Sequence, residues 1–247
     1  MSIILSFYQE LSRQLSLQFE QEADSMQHAA KLMNDCIAAD GLIHVFGSGH
    51  SQMFAMELFY RSGGLVPINA LLYPQMAVAP MAKMSSVFER MEGFAKSALD
   101  LENIGPHDVM IIASVSGRNG STVDVALAAK AKGMPIIALT SKAYSESVPS
   151  RHSCNKRLFE LADVVIDLKC PLGDASMSIE NVESKFASTS SILGMAVLEA
   201  LVSQTVANLV KLGVNPPLWV SANLESKQGE AINQAHVDKY KNRIRFL

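Results

Sequence analysis

The sequence predicts an α/β fold, a doubly wound parallel sheet with an N-terminal helical extension. Three observations predict it. Five short apolar runs alternate with helical stretches, the order that right-handed strand–helix–strand crossovers require. Two of those runs lead into small, hydroxyl-rich loops, the form of a buried strand that turns tightly into a helix. Hydrophobic residues make up 49% of the chain and aromatic residues 6%, so the core is built from Ala, Val, Ile, Leu and Met.

Residues 3–39 read as helical. Leu5, Leu11, Leu15 and Phe19 recur near the helical period, and Ala29, Leu32, Met33, Cys36 and Ile37 continue it. A break that caps a second helix is expected near Asp24-Ser25, because both side chains accept from free N–H groups. A strand over 42–46 follows, then a helix over about 52–61 closed by Gly63-Gly64. Residues 66–71 form the second strand. Residues 73–91, with Pro74, Pro80 and several methionines, read as irregular, and 93–102 as a helix. A strand over 108–113 precedes a helix over about 120–132 that Gly133 ends. A strand over 135–139, a loop over 141–156, a short helix ending near Leu161 and a strand over 163–167 come next. A long helix over 188–211 is stopped by Gly213 and Pro216-Pro217. The tail from about 226 is polar and charged. The chain thus divides into a helical extension (1–40), a sheet domain (41–215) and a C-terminal tail (216–247).

The two loops carry the chemistry. Gly47-Ser48-Gly49-His50-Ser51 follows the first strand, and Ser114-Val115-Ser116-Gly117-Arg118-Asn119-Gly120-Ser121-Thr122 follows the third. Backbone N–H groups at a helix N-terminus point at an anion, and serine hydroxyls add donors without bulk. Ligands in such sheets sit beyond the carboxyl ends of the strands, where both loops lie. The loops are not a dinucleotide fingerprint: the third glycine is missing and no acidic residue ends the second strand. There is no Walker lysine. The expected ligand is therefore a phosphorylated small molecule.

Composition narrows the partners. The net charge is −3 and no basic stripe appears, which argues against nucleic acid. Cys36, Cys154 and Cys170 are scattered without metal spacing and read as reduced thiols of a cytoplasmic protein. The N-terminus meets Gln9 and Glu10 too soon for a signal peptide. The apolar stretch 188–210 contains Glu199 and many hydroxyl and amide side chains, which are costly in lipid. It reads as a helix buried in the core or in a subunit interface, not as a membrane span.

The two loops, as Gly47-Ser48-Gly49-His50-Ser51 and Ser114-x-Ser116-Gly117-x-Asn119, resemble the paired phosphosugar loops of the SIS (sugar isomerase) domain. Glu89-Arg90-x-x-Gly93, Ser150-Arg151-His152-Ser153, Lys156-Arg157-Leu158-Phe159-Glu160, Pro171-x-Gly173-Asp174-Ala175 and Ser221-Ala222-Asn223 resemble a subgroup of single-SIS proteins labelled phosphoheptose or phosphosugar isomerases. The resemblance covers most of the chain. It implies a flavodoxin-like five-stranded sheet, a SIS phosphosugar-binding domain over 41–215, and a homodimer or homotetramer with sites near subunit interfaces. It places Ser48, Gly49 and Ser51 in the first loop. Ser114, Ser116, Gly117, Asn119 and Ser121 fall in the second, where an Asn119 amide replaces the hydroxyl of many relatives.

The resemblance also implies aldose–ketose isomerisation of a sugar phosphate, which needs a carboxylate beside C2 to move a proton through an enediol. Glu57 is the first candidate for that base; its alternative is a pair with Arg61 one helical turn on. His50 in the first loop either opens the sugar ring or donates to phosphate. His236 in the tail assists ring opening if it reaches a site. Glu89 is a second carboxylate for the substrate, or a helix-terminal ion-pair partner. Glu199, alone in its apolar helix, is either a buried acid or a partner of a basic group. Arg151, His152, Lys156 and Arg157 form a basic cluster that closes over an anionic substrate or stays solvated. Zinc-dependent phosphoheptose isomerases carry His four residues before the Glu, where this chain has Met53, so no metal and no redox cofactor is expected. The alternatives to an isomerase are a non-catalytic phosphosugar sensor and a lyase or etherase for an amino-sugar phosphate.

Overall fold

The structure, a computed structural model, describes residues 2–224 and 226–247. Its centre is a parallel sheet of β1 (Ile43–Gly47), β2 (Ile68–Leu71), β3 (Val109–Ala113), β4 (Ile136–Thr140) and β5 (Val164–Asp167). The strand order is β2-β1-β3-β4-β5, so the predicted five-stranded flavodoxin-like sheet is present. Strands start one or two residues later than their apolar runs, because the leading residues do other work. Asp108 accepts from the Leu42 N–H (2.7 Å), and Pro135 has no N–H to give the ladder.

Helices cover both faces. The first comprises α1 (Ile3–Gln21), α2 (Ala23–Ala38), α3 (Gln52–Leu58) and the long α8 (Ser190–Lys211). On that face Ile43, Val45, Ile68, Ile111, Ile137, Leu139 and Ile166 pack with Met33, Phe54, Leu193, Val197, Leu198 and Leu201. The opposite face buries Phe46, Met110, Ile112, Ile136 and Ala138 against α5 (Phe94–Leu99) and α6 (Gly120–Ala131). This alternation along each strand is what a parallel sheet covered on both sides demands. By length and composition α8 is the one helix among the described residues able to cross a membrane, yet Leu193, Val197, Leu198, Leu201 and Leu209 are fully buried in the fold.

Several elements depart from the sequence expectation. The expected break near Asp24-Ser25 is present, but it falls at Glu22, and neither Asp24 nor Ser25 is its cap. There the Glu22 carboxylate meets Lys169 Nζ (2.7 Å) and accepts from the Asp167 N–H (3.1 Å), a tertiary anchor that local sequence does not announce. Residues 73–91 are not irregular: they contain α4 (Ala82–Arg90), whose outward face exposes Val87 and Met84. The loop 141–156 begins with α7 (Lys142–Glu146). An antiparallel pair, β6 (Ala175–Met177) and β7 (Phe186–Ser188), precedes α8. The tail folds into α9 (Lys227–Tyr240), with Ser226 accepting from the Gly229 N–H. Just before α9, Trp219 exchanges backbone bonds with Gly63 (2.9 Å) and Gly64 (3.0 Å), and Leu218 bridges Leu65. Trp219 is buried with Leu42, Val66, Tyr240 and Ile244 in a third, small cluster.

A buried polar chain crosses under β1. His44 contacts Asp108 Oδ2 through Nε2 (2.8 Å), and the Asn69 amide donates to its Nδ1 (3.0 Å). Asn69 also donates to Glu102 (3.2 Å), which the tail residue Arg245 grips (3.0 Å).

Candidate functional site

The strand order makes the site. From β1 the chain crosses to β2 on one side, and from β3 to β4 on the other, so the loops after β1 and β3 diverge and leave a crevice between them. A cavity of about 430 Å³ fills it. Ser48, Gly49, His50 and Ser51 supply one wall, and Ser114, Ser116 and Asn119 another. Ser85, Ser86 and Glu89 of α4 form the roof; Tyr144 of α7, Asp174 and the α8 residues Ser190 and Ser191 close the remainder. Hydroxyls dominate the lining, as a polyol or phosphate ligand would need.

Each loop is built by its backbone. Gly49 has φ +58°, a left-handed conformation that favours glycine, and a Cβ there would stand 3.5 Å from Glu89 Oε2. In the second loop the Gly117 N–H donates to Ser114 Oγ (3.2 Å), and its carbonyl accepts from the Leu158 N–H (2.8 Å). Gly117 therefore supports the loop from behind, and neither it nor the fully buried Ser121, whose hydroxyl finds no partner among the described residues, lines the cavity. Ser48, Ser114 and Asn119 are nearly buried, whereas His50 is exposed at the mouth.

Glu89 stands between the loops. The first-loop backbone lies on one side of it. On the other, the Asn119 amide donates to Glu89 Oε1, and the Asn119 carbonyl accepts from Arg151 (2.9 Å). Burial pushes the Glu89 carboxyl above its ordinary value, against the charges of Arg90 and Arg151 and the Asn119 bond. Asp174 is differently engaged. It accepts from the Ser190 N–H (2.9 Å), the Ser190 hydroxyl (2.6 Å) and the Thr189 N–H (3.2 Å), capping α8 from another element.

The structure does not bring Glu57 or His236 to the cavity. Glu57 pairs with Arg61 (2.5 Å), whose Nε also lies 3.6 Å from a half-exposed Glu199. His236 stacks edge-on against Trp219 at 5.8 Å, and burial lowers its pKa. The basic cluster splits: Arg151 goes to Asn119, His152 to Asp124 (3.1 Å) and Arg157 to Glu160 (2.9 Å). Sequence reasoning missed Asp174, Tyr144 and the pairs Ser85-Ser86 and Ser190-Ser191 as lining residues. The two serine doublets inside helices were the available signal; Asp174 comes from a loop, and Tyr144 from a short helix within a stretch that reads as loop, and only the tertiary fold fixes the placement of either.

The SIS domain model matches residues 6–141. A UPF0309 protein of Geobacillus thermodenitrificans is 41% identical over 99% of this chain and 98% of its own. Among solved structures, the fold is similar to a phosphoheptose isomerase of Neisseria gonorrhoeae, with TM-score 0.55, 18% identity, and coverage of 83% of this chain and 97% of that one. It is also similar to the NanR protein of Vibrio vulnificus complexed with ManNAc-6P, with TM-score 0.51, 12% identity, and coverage of 99% and 70%. With its two serine loops on either side of one crevice, the chain belongs to the SIS-domain family and, within it, to the UPF0309 proteins.

Proposed function

We propose that this protein binds a phosphorylated sugar and interconverts its aldose and ketose forms, with Glu89 moving the proton. The observation that carries the reading is the position of Glu89, a carboxylate with a raised pKa facing the cavity between two hydroxyl-lined loops. Ser48, Ser51, Ser114, Ser116 and Asn119, with the loop N–H groups, hold the phosphate as a handle. Ionised Glu89 takes the proton from C2 of the aldose. The resulting enediolate oxygen is stabilised by loop donors, and the proton returns to C1. A carboxyl raised toward neutrality suits both halves of that transfer. In this reading His50, an exposed residue of the cavity lining, assists ring opening. Family membership supports the sugar-phosphate ligand, and the names of the two fold neighbours, an isomerase of a sugar phosphate and a ManNAc-6P complex, point the same way.

A thermal-shift screen with sugar phosphates, followed by proton NMR of each hit in D₂O, tests the reading. Expected are stabilisation by at least one sugar phosphate, exchange of its C2 proton, and loss of that exchange by roughly 100-fold or more in Glu89→Gln. Binding with no exchange and no consumption identifies a sensor instead. Release of an ether substituent identifies a lyase.

A further inference from the structure

The chain has eight arginines. Arg13, Arg61, Arg157, Arg243 and Arg245 each meet a carboxylate. Arg90, Arg118 and Arg151 form no ion pair among the described residues. The fold gathers these three around the second serine loop. The Arg151 N–H donates to the Arg118 carbonyl (2.8 Å), and the Arg151 guanidinium donates to Asn119 (2.9 Å). The Arg90 carbonyl lies 2.7 Å from where a Cβ on Gly120 would stand, so the last turn of α4 rests directly on the first residue of α6. Arg118 is half-buried, and its Nε is shut off from solvent with no partner. Burial and the like charges of Arg151 and Arg90 pull its pKa below the ordinary value.

The neighbouring carboxylates are engaged elsewhere. Asp124 holds the Gly93 N–H (2.6 Å) and His152 (3.1 Å), and Glu92 holds the Ser153 N–H (2.8 Å) and hydroxyl (2.6 Å). Glu89 takes the Asn119 amide. Glu89 is within Coulombic reach of Arg90 and Arg151 but pairs directly with neither, so the three guanidinium groups still repel one another, and an oxyanion relieves that repulsion with paired, charge-assisted bonds. The three do not line the cavity itself; Arg151 is joined to the lining residue Glu89 through Asn119, and Arg90 follows Glu89 in the chain.

We propose that Arg90, Arg118 and Arg151 receive a second oxyanion on the sugar phosphate, a carboxylate or a second phosphoryl group, so that the protein selects phosphorylated sugar acids or sugar bisphosphates. The proposal rests on the sugar-phosphate reading above and adds the substrate class. A single phosphate needs only the serine loops; the arginines set the preference for the doubly anionic ligand.

Calorimetric titration of matched pairs tests this. Glucose 6-phosphate is compared with 6-phosphogluconate, and fructose 6-phosphate with fructose 1,6-bisphosphate, on the full chain and on Arg118→Gln and Arg90→Gln. The expected result is binding about tenfold or more tighter for the doubly anionic member of one pair, as one added charge-assisted contact implies. That gain is lost in Arg118→Gln and reduced in Arg90→Gln, with singly phosphorylated ligands unaffected. The pair that shows the gain says whether carboxylate or phosphoryl is read. Equal affinities within both pairs, or equal loss for both members in Arg118→Gln, overturn the proposal while leaving the sugar-phosphate reading intact. Binding of no ligand in either pair overturns both. Should Arg118→Gln fail to fold, the exposed Arg90→Gln decides alone.

Discussion

Asn119 joins two otherwise separate residues, Glu89 on α4 and Arg151 on the loop after α7, through the two ends of one amide. The family resemblance marked Asn119 as a phosphate contact and offered Glu89 either as a second substrate carboxylate or as a helix-terminal ion-pair partner. It did not pair them, since 30 residues separate them and no local pattern links the two. Asn119→Asp is expected to place a like charge against Glu89. The pH at which C2-proton exchange becomes half-maximal then rises, with the fold retained by thermal melt. The pairing of Glu57 with Arg61, in contrast, was visible as a one-turn spacing, and the same spacing explains why that carboxylate is turned from the crevice. The thiols divide just as simply. Burial pushes Cys36 and Cys170 up to about 12, while Cys154 is exposed. A native protein treated with iodoacetamide at neutral pH should take up one label, at Cys154, and three when unfolded; early labelling of Cys36 contradicts this placement.

Among elements, those with an apolar face turned to the sheet were legible and the others were not. The strands and α6 declare themselves by continuous apolar runs, because both sheet faces are covered. α4 does not, since its exposed residues include Met84 and Val87, so apolar spacing reports solvent and not core. Missing α4 hid the roof of the cavity, and with it Ser85 and Ser86. α9 was hidden for the opposite reason: it is polar almost throughout, and its attachment is Asn233, which donates to the Val220 carbonyl (2.8 Å) and accepts from its N–H (2.9 Å). His236 of α9 packs on Trp219. Its pKa is lowered by burial, with Lys239 adding to the fall and a backbone bond to Leu218 opposing it. The unfolded tail thus binds a proton more readily than the docked one. Docking is favoured above the ordinary histidine value of 6.5 and weakens as pH falls through it toward the lower folded value. Emission of Trp219, the single tryptophan, should shift red between pH 7 and pH 5.5, and His236→Asn should flatten that response.

For the whole molecule, the decisive property is a strand order that sets two serine-rich turns on either side of one crevice; the alternation of runs and loops foretold a parallel sheet with both turns at the carboxyl ends of its strands. What the sequence could not show is the buried chain from Asp108 through His44 and Asn69 to Glu102 and Arg245, which ties three strands to the C-terminus. Burial raises the Asp108 pKa, but bonds from His44 and from the Gly105 and Leu42 N–H groups outweigh it and hold the carboxyl below its ordinary 3.8. Its contribution is complete above that value and drains away as pH falls through the lower folded pKa. Asp108→Ala, which strands these buried donors, should cost about 3–5 kcal/mol in urea unfolding at pH 7; a loss under about 1 kcal/mol contradicts the network. The two borders of the sheet have a further consequence. On the β2 side, the segment leading into the strand is already paired with residues 217–219. On the β5 side, Glu22, Lys169 and Asp167 crowd the border with paired charge. Natural sheets use both devices to refuse an incoming strand. Copies of this protein are therefore steered away from joining end to end into a continuous ribbon. A chain cut after Val214 loses the first of these guards, and light scattering should find it aggregating where the 247-residue chain stays dispersed.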